Sequence, residues 1–246
     1  MASPLRVGCL PYLNSEPFFA YLDGVERVSL MPRALGAVMA RGELDAGLVS
    51  LADALAMGDA LRRLPFGIAT PGATGSVLLF AGKPLEALHG ATIGVTDETS
   101  TSVCLLRLLL ECRYAVKDVQ WTTLGEARDA VLVIGDEALR RRSRSSGFTS
   151  CIDLGAEWRA WTGLPAVFAV WVVRRAVSDE ARAALEARVA TSLTRGLANL
   201  DAIAARRHGD TGISESEVVS YLTNFIYRFG PAELRAIEEF TRLIAG

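Results

Sequence analysis

One local pattern recurs along this chain and limits what it can fold into. A short β-branched or apolar run leads into a polar turn, which leads into apolar residues at helical spacing. Residues 5–10 run through Pro11-Tyr12-Leu13-Asn14-Ser15-Glu16-Pro17 into 18–22, residues 45–50 run into 51–57, and residues 91–95 run into 103–110. Strands that alternate with helices build a mostly parallel sheet with helices on its faces. In such sheets ligands sit beyond the carboxyl ends of the strands, so the polar turns are where a site is expected.

The turn after residues 91–95 is the most unusual. Thr99, Ser100, Thr101 and Ser102 place four consecutive hydroxyls where a helix would begin. A helix N-terminus leaves N–H groups unpaired and carries a partial positive charge, so it can hold a carboxylate or phosphate. One Ser or Thr there is accounted for by ordinary N-capping. Four exceed that need, and the turn is expected to form half of a site for an anionic small molecule.

The other turns supply the second half. Asn14 has an amide that both donates and accepts, or it simply forms a turn. Pro17 suits a first helical turn, with Ser15 or Glu16 as its cap. Ser50 ends a strand and is expected to cap the helix that follows. The loop Pro71-Gly72-Ala73-Thr74-Gly75-Ser76 joins two β runs, and its glycines permit close backbone approach to a ligand, with Ser76 where the second run begins.

The pattern continues with strands near 119–122, 130–134 and 150–154, a helix over 155–162 stopped by Gly163 and Pro165, and an apolar strand over 167–173. Polar residues 83–89 read as a crossing between lobes, and 167–173 as the return. The expected organisation is residues 1–84 plus 174–246 in lobe 1 and residues 85–173 in lobe 2. The remainder is helical. Leu185, Val189, Leu193, Leu197 and Leu200 give one core face across 179–207, Ser214 with Glu217 makes a capping box, and Gly230-Pro231 separates the last helix. These helices are expected on lobe 1.

Composition narrows the functional classes. With 246 residues, half hydrophobic and 22% charged, the chain is globular and large enough for two lobes. A net charge of -2 makes no case for nucleic acid or an anionic membrane. Arg140, Arg141, Arg142 and Arg144 read as a solvated helix end. No charged-then-apolar leader opens the sequence. Cys9, Cys104, Cys112 and Cys151 lack metal or redox spacing and read as buried free thiols, so a cytoplasmic protein is expected. His89 and His208 lie too far apart to support a metal site or a Ser-His-Asp triad, and no nucleotide-binding fingerprint is present. No metal and no cofactor is expected.

Several segments resemble the chorismate dehydratases of the futalosine route to menaquinone. They are Tyr12-Leu13-Asn14-Ser15-Glu16-Pro17, Asp45-Ala46-Gly47-Leu48-Val49-Ser50, Ser76-Val77-Leu78-Leu79-Phe80 and Thr99-Ser100-Thr101-Ser102. Leu132-Val133-Ile134-Gly135-Asp136, Asp153-Leu154-Gly155-Ala156-Glu157-Trp158 and Thr162-Gly163-Leu164-Pro165-Ala166-Val167-Phe168 complete the series. The stretch Ala69-Thr70-Pro71-Gly72-Ala73-Thr74 departs from the family, which is richer in Ser and Asp there. The resemblance implies an α/β, two-lobed type II periplasmic-binding-protein-like clamp with a ligand cleft between the lobes. It also implies loss of water from chorismate, a dicarboxylate, to give 3-[(1-carboxyvinyl)oxy]benzoate. In that reading Asn14 and Ser76 contact the reacting part of the substrate. Thr99, Ser100, Thr101 and Ser102 hold a carboxylate, and Tyr12, Ser15 and Ser50 line the cleft. Two alternatives remain open: a non-catalytic binding protein for a small carboxylate, and the sister enzyme that makes 1,4-dihydroxy-6-naphthoate.

Overall fold

Strand–helix alternation organises the computed structural model, which describes residues 3–96, 100–127, 129–142 and 147–246. Its first half comprises β1 (Arg6–Cys9), α1 (Glu16–Phe19), β2 (Glu26–Ser29), α2 (Pro32–Ala40), β3 (Ala46–Ser50), α3 (Leu51–Met57), β4 (Leu61–Thr70), β5 (Val77–Ala81), β6 (Thr92–Val95), α4 (Thr101–Leu108) and β7 (Gln120–Thr123). The second half comprises β8 (Ala130–Ile134), α5 (Gly135–Arg142), β9 (Ser150–Asp153), α6 (Leu154–Thr162), β10 (Ala166–Arg174), α7 (Asp179–Leu197), α8 (Leu200–Thr211), α9 (Glu215–Thr223), β11 (Ile226–Arg228) and α10 (Pro231–Ala245).

The strands form two sheets, ordered β11-β4-β10-β3-β1-β2 and β7-β6-β8-β5-β9. Apart from the edge strand β11, the two orders repeat one plan. In each, the first strand lies parallel between the second and third. The strand arriving from the other lobe then inserts antiparallel beside the third, with Trp171 opposite Leu48 in one sheet and Val77 opposite Ile134 in the other. Parallel strands send their carboxyl ends toward the cleft, and the two inserted strands send their amino ends there. Ser76 is therefore a cleft residue although it precedes a strand.

Sheet membership moves the lobe boundaries. Lobe 1 does not extend to residue 84, because β5 belongs to the second sheet, and lobe 2 does not extend to 173, because β10 belongs to the first. The crossings are residues 71–76 and 163–165. Both inserted strands are apolar and almost wholly buried. A strand covered on both faces has no alternation to mark which sheet it joins. The edge strand β11 was not foreseen, since three residues are too few for any periodicity.

The helical tail also differs. The expected single face over 179–207 breaks at Ala198–Asn199, so Leu185, Val189 and Leu193 are buried whereas Leu197 is 38% exposed. At Gly196 α7 touches α1: a Cβ there would lie 2.2 Å from the Pro17 carbonyl oxygen. The hydroxyl of Ser192 donates to the Phe18 carbonyl at 2.6 Å. Behind this contact Phe18 meets Trp171 and Tyr227 edge-on, with centroids 5.7 and 5.5 Å away. The tail does not keep to lobe 1 alone, because Phe240 of α10 packs on Trp158 of α6 at 6.0 Å. The expected capping box at Ser214 and Glu217 is formed.

Candidate active site

The strand ends and helix starts converge on a cleft whose empty space, including the part open to solvent, is about 520 Å³. Leu10, Ile68, Val77, Ile134 and Phe168 give it apolar walls. Its polar lining consists of Tyr12, Asn14, Ser50, Ser76, Thr101 and Ser102, without a charged side chain among the described residues. The first residues of α4 and α5 line the cavity, which places two helix N-termini, with the partial positive charge such ends carry, at its wall.

Asn14 lies between β1 and α1, and its Oδ1 is buried without a hydrogen-bond partner among the described residues. Such an atom is costly unless something completes it. Ser15 points the other way. It does not line the cavity, and its hydroxyl hydrogen faces the carbonyls of Leu10 at 2.6 Å and Tyr12 at 2.7 Å, closing the turn. Nor does it cap α1 through its side chain. Its expected place in the cleft lining is corrected: it shapes the turn that presents Asn14.

That turn is gripped from the opposite lobe. Tyr12 lies against Gly135, whose φ is +58° and whose Cβ, if present, would be 2.6 Å from Tyr12 Cδ1. Asp136 accepts the Leu13 N–H at 3.0 Å and an Arg207 N–H at 3.1 Å. Arg207 also pairs with Glu16 and donates to the Pro11 carbonyl at 3.2 Å. Burial pushes the Asp136 carboxyl above its ordinary range, against the pull of the Leu13 N–H and Arg207.

The hydroxyl turn before α4 departs from expectation in its use. Ser100 does not cap its own helix and does not line the cavity; its Oγ donates to Asp53 Oδ2 at 3.1 Å. Thr101 lines the cavity while its Oγ1 accepts the Ala52 N–H at 3.0 Å. Ser102 lines the cavity, and Thr99 lies outside the described residues. Ser50 caps α3 as expected, accepting the Asp53 N–H at 3.1 Å and donating to Asp53 Oδ2 at 2.7 Å. Part of the hydroxyl run is thus engaged in docking the second lobe onto α3 of the first.

Ser76 closes the cavity at the first crossing. Its N–H donates to Thr74 Oγ1 at 3.0 Å, its carbonyl accepts the Gly135 N–H at 2.8 Å, and its Oγ lies 2.7 Å from the Tyr221 hydroxyl. Asp153, the N-cap of α6, anchors the loop by accepting from Thr74 N–H and Oγ1 and from Gly75 N–H.

Asp53, Asp136, Asp153 and Tyr221 were not foreseen as site residues. Asp53 had a signal, three residues after Ser50 as in a capping box. Tyr221 had none, because its register beside Val218 and Leu222 reads as core. Of the cysteines, Cys9 is buried as expected, whereas Cys112 and Cys151 are exposed; all four are free. Among the described residues no cluster of His, Cys, Asp or Glu is arranged to hold a metal ion, and no helix is long and apolar enough to cross a membrane.

Comparison with known proteins agrees with this architecture. A family described as menaquinone biosynthesis matches residues 5–246. A chorismate dehydratase from Thermus thermophilus is 30% identical over 263 aligned positions, covering 98% of this chain and 95% of the relative. Protein AF1704 from Archaeoglobus fulgidus superposes with a TM-score of 0.82 at 18% identity, over 99% of this chain and 97% of that one. The alkanesulfonate-binding protein SsuA from Xanthomonas axonopodis pv. citri, bound to MOPS, gives 0.68 at 15% identity, over 98% and 94%. These structural likenesses are those of the periplasmic-binding-protein fold.

Proposed function

The chain belongs to the menaquinone-biosynthesis family, and on that premise we propose that it is a chorismate dehydratase. The observation that carries the reading is the 30% identity to such an enzyme across 98% of the chain. The reaction breaks a ring C–H bond and the ring C–OH bond, releases one water and leaves 3-[(1-carboxyvinyl)oxy]benzoate. Aromatisation supplies the thermodynamic drive, so the protein has to orient the substrate, exclude water and stabilise developing charge.

The cavity suits those tasks. The starts of α4 and α5, with Thr101 and Ser102, offer N–H and hydroxyl groups to the two substrate carboxylates, and Ser50 lines the cleft beside them. The unpartnered Oδ1 of Asn14 accepts the hydrogen of the ring hydroxyl, and Ser76 donates to the departing oxygen. Among the described lining residues none is a carboxylate, amine or imidazole. A substrate carboxylate or a hydroxyl-bound water then takes the ring proton. A cytoplasmic setting accompanies the reading, in keeping with four unpaired cysteines.

The test is to incubate purified protein with chorismate and follow the ultraviolet spectrum and product mass. A protein-dependent product lighter by one water is expected. A second reading, a carboxylate-binding protein, draws on the shared fold of the alkanesulfonate-binding protein. It takes over if chorismate raises the melting temperature but is recovered unchanged.

A further inference from the structure

We infer that Tyr221 is a positioning residue that fixes Ser76 as a hydrogen-bond donor to the substrate; this inference rests on the dehydratase reading. Tyr221 lies on α9 of the first lobe, and its hydroxyl is 2.7 Å from Ser76 Oγ at the crossing into the second lobe. Its side chain is buried, with its ring edge-on to Phe225 at 4.9 Å. Among the described residues Ser76 Oγ is the hydrogen-bond partner of its hydroxyl.

Distance alone permits either direction for this bond, but the surroundings decide between them. If Ser76 donated, the phenolic hydrogen would be left buried without an acceptor, and unmade buried bonds are costly. If Tyr221 donates, its hydrogen is satisfied and the Ser76 hydrogen turns to the cavity, which Ser76 lines. A phenol is also the stronger donor of the two. Burial keeps Tyr221 protonated, holding its ionisation well above the ordinary range.

The rest of Ser76 is already committed. Its N–H goes to Thr74 Oγ1 and its carbonyl takes the Gly135 N–H. Thr74 can accept the Ser76 N–H because its own hydroxyl hydrogen goes to Asp153 at 3.1 Å. One direction therefore runs through the whole crossing: Thr74 toward Asp153, Tyr221 toward Ser76, Ser76 toward the substrate. A hydroxyl polarised by one donor is a better donor itself. The bond acts on the departing oxygen, so it strengthens as charge develops there and is expressed in kcat more than in KM.

The neighbouring Tyr227 serves as an internal control. It is also buried, but its hydroxyl has no hydrogen-bond partner among the described residues and it does not line the cavity. Tyr221→Phe is expected to lower kcat for chorismate roughly tenfold, the value of one ordinary hydrogen bond, with KM nearly unchanged. Tyr227→Phe should leave kcat as it is.

The decisive experiment is the double-mutant cycle between Tyr221→Phe and Ser76→Ala, with melting temperatures recorded alongside. If Tyr221 acts through Ser76, removing its hydroxyl in the Ser76→Ala background changes kcat no further. Additive losses, or an equal loss in Tyr227→Phe, overturn the role and make Tyr221 a packing residue. Wild-type protein that leaves chorismate unchanged overturns the dehydratase reading and this role with it. An active wild type with an unaltered Tyr221→Phe variant overturns this role alone. If Tyr221→Phe does not fold, Ser76→Thr keeps the hydroxyl beside Tyr221 and adds a methyl. Its kcat should then exceed that of Ser76→Ala, and a kcat no better overturns the role.

Discussion

Asn14 carries a buried acceptor that no described residue completes, at the wall of a cavity whose described lining has no charged side chain. What sets it apart from the buried Tyr227 hydroxyl is that its residue lines the cavity, where a ligand or water can supply the donor. Replacement of Asn14 or Ser76 by Ala should lower kcat/KM for chorismate by ~10²–10³, the scale of losing one transition-state donor. Steady-state kinetics of both variants check this, and unchanged values in both would remove the assignment. The cysteines allow a test without substrate. Burial pushes the Cys9 thiol up to about 12, opposed by the charge of Arg27. An acid whose pKa is raised by folding stays protonated, so its contribution is constant below the ordinary thiol range. Stability falls as pH climbs from there toward 12, where the unfolded chain ionises first. At neutral pH a thiol reagent should label exposed Cys112 first and leave Cys9 untouched until denaturant is added, read by peptide mass.

At the scale of elements, function depends on where strands end and helices begin. α5 starts at Gly135 directly after β8, and its left-handed φ together with the Tyr12 ring leaves no room for a Cβ. Gly135→Ala should cost about 1–3 kcal/mol for the backbone alone, a fall of several degrees in melting temperature. It should also press Tyr12 into the cavity and raise KM. Calorimetry and kinetics on one preparation separate the two effects. A variant with the wild-type melting temperature and KM would contradict the packing of Tyr12 on this turn. The start of α4 shows the limit of reading hydroxyls from sequence: whether a Thr caps, binds an anion or bridges to another helix depends on what lies opposite. For Ser100 and Thr101 the opposite surface is the start of α3.

For the whole molecule, the consequential contact is the bridge between lobes. Asp136 of the second lobe holds the Leu13 N–H and Arg207, so the turn bearing Asn14, closed within its own lobe by Ser15, is also fastened from the other side of the cleft. Asp136→Ala leaves a largely buried Arg207 short of a partner and a backbone N–H without an acceptor. Because Arg207 keeps Glu16 and Asp210, a cost of about 1–3 kcal/mol is expected, that of a buried N–H left unsatisfied, with lower kcat/KM and a larger radius of gyration by X-ray scattering. Asp136→Asn retains an acceptor for the Leu13 N–H and should fall between Ala and wild type. Equal behaviour of the two variants would mean that only the charge matters, and no change in scattering would detach Asp136 from lobe closure.

The α/β class, the order of the strands along the chain, the capping box at Ser214 and the polar turns at Asn14, Ser50 and Ser76 were set by local sequence. Each depends on neighbours three or four residues away, which periodicity and capping chemistry report directly. The sheet that receives β5 or β10, the inward turn of Ser15 and the partners of Ser100 and Thr101 were decided only by tertiary structure. So was the meeting of Tyr221 with Ser76, 145 residues apart. A strand buried on both faces carries no mark of its neighbours, and a hydroxyl carries no mark of its partner. Those choices are made by packing between segments distant in the chain, where local pattern holds no information.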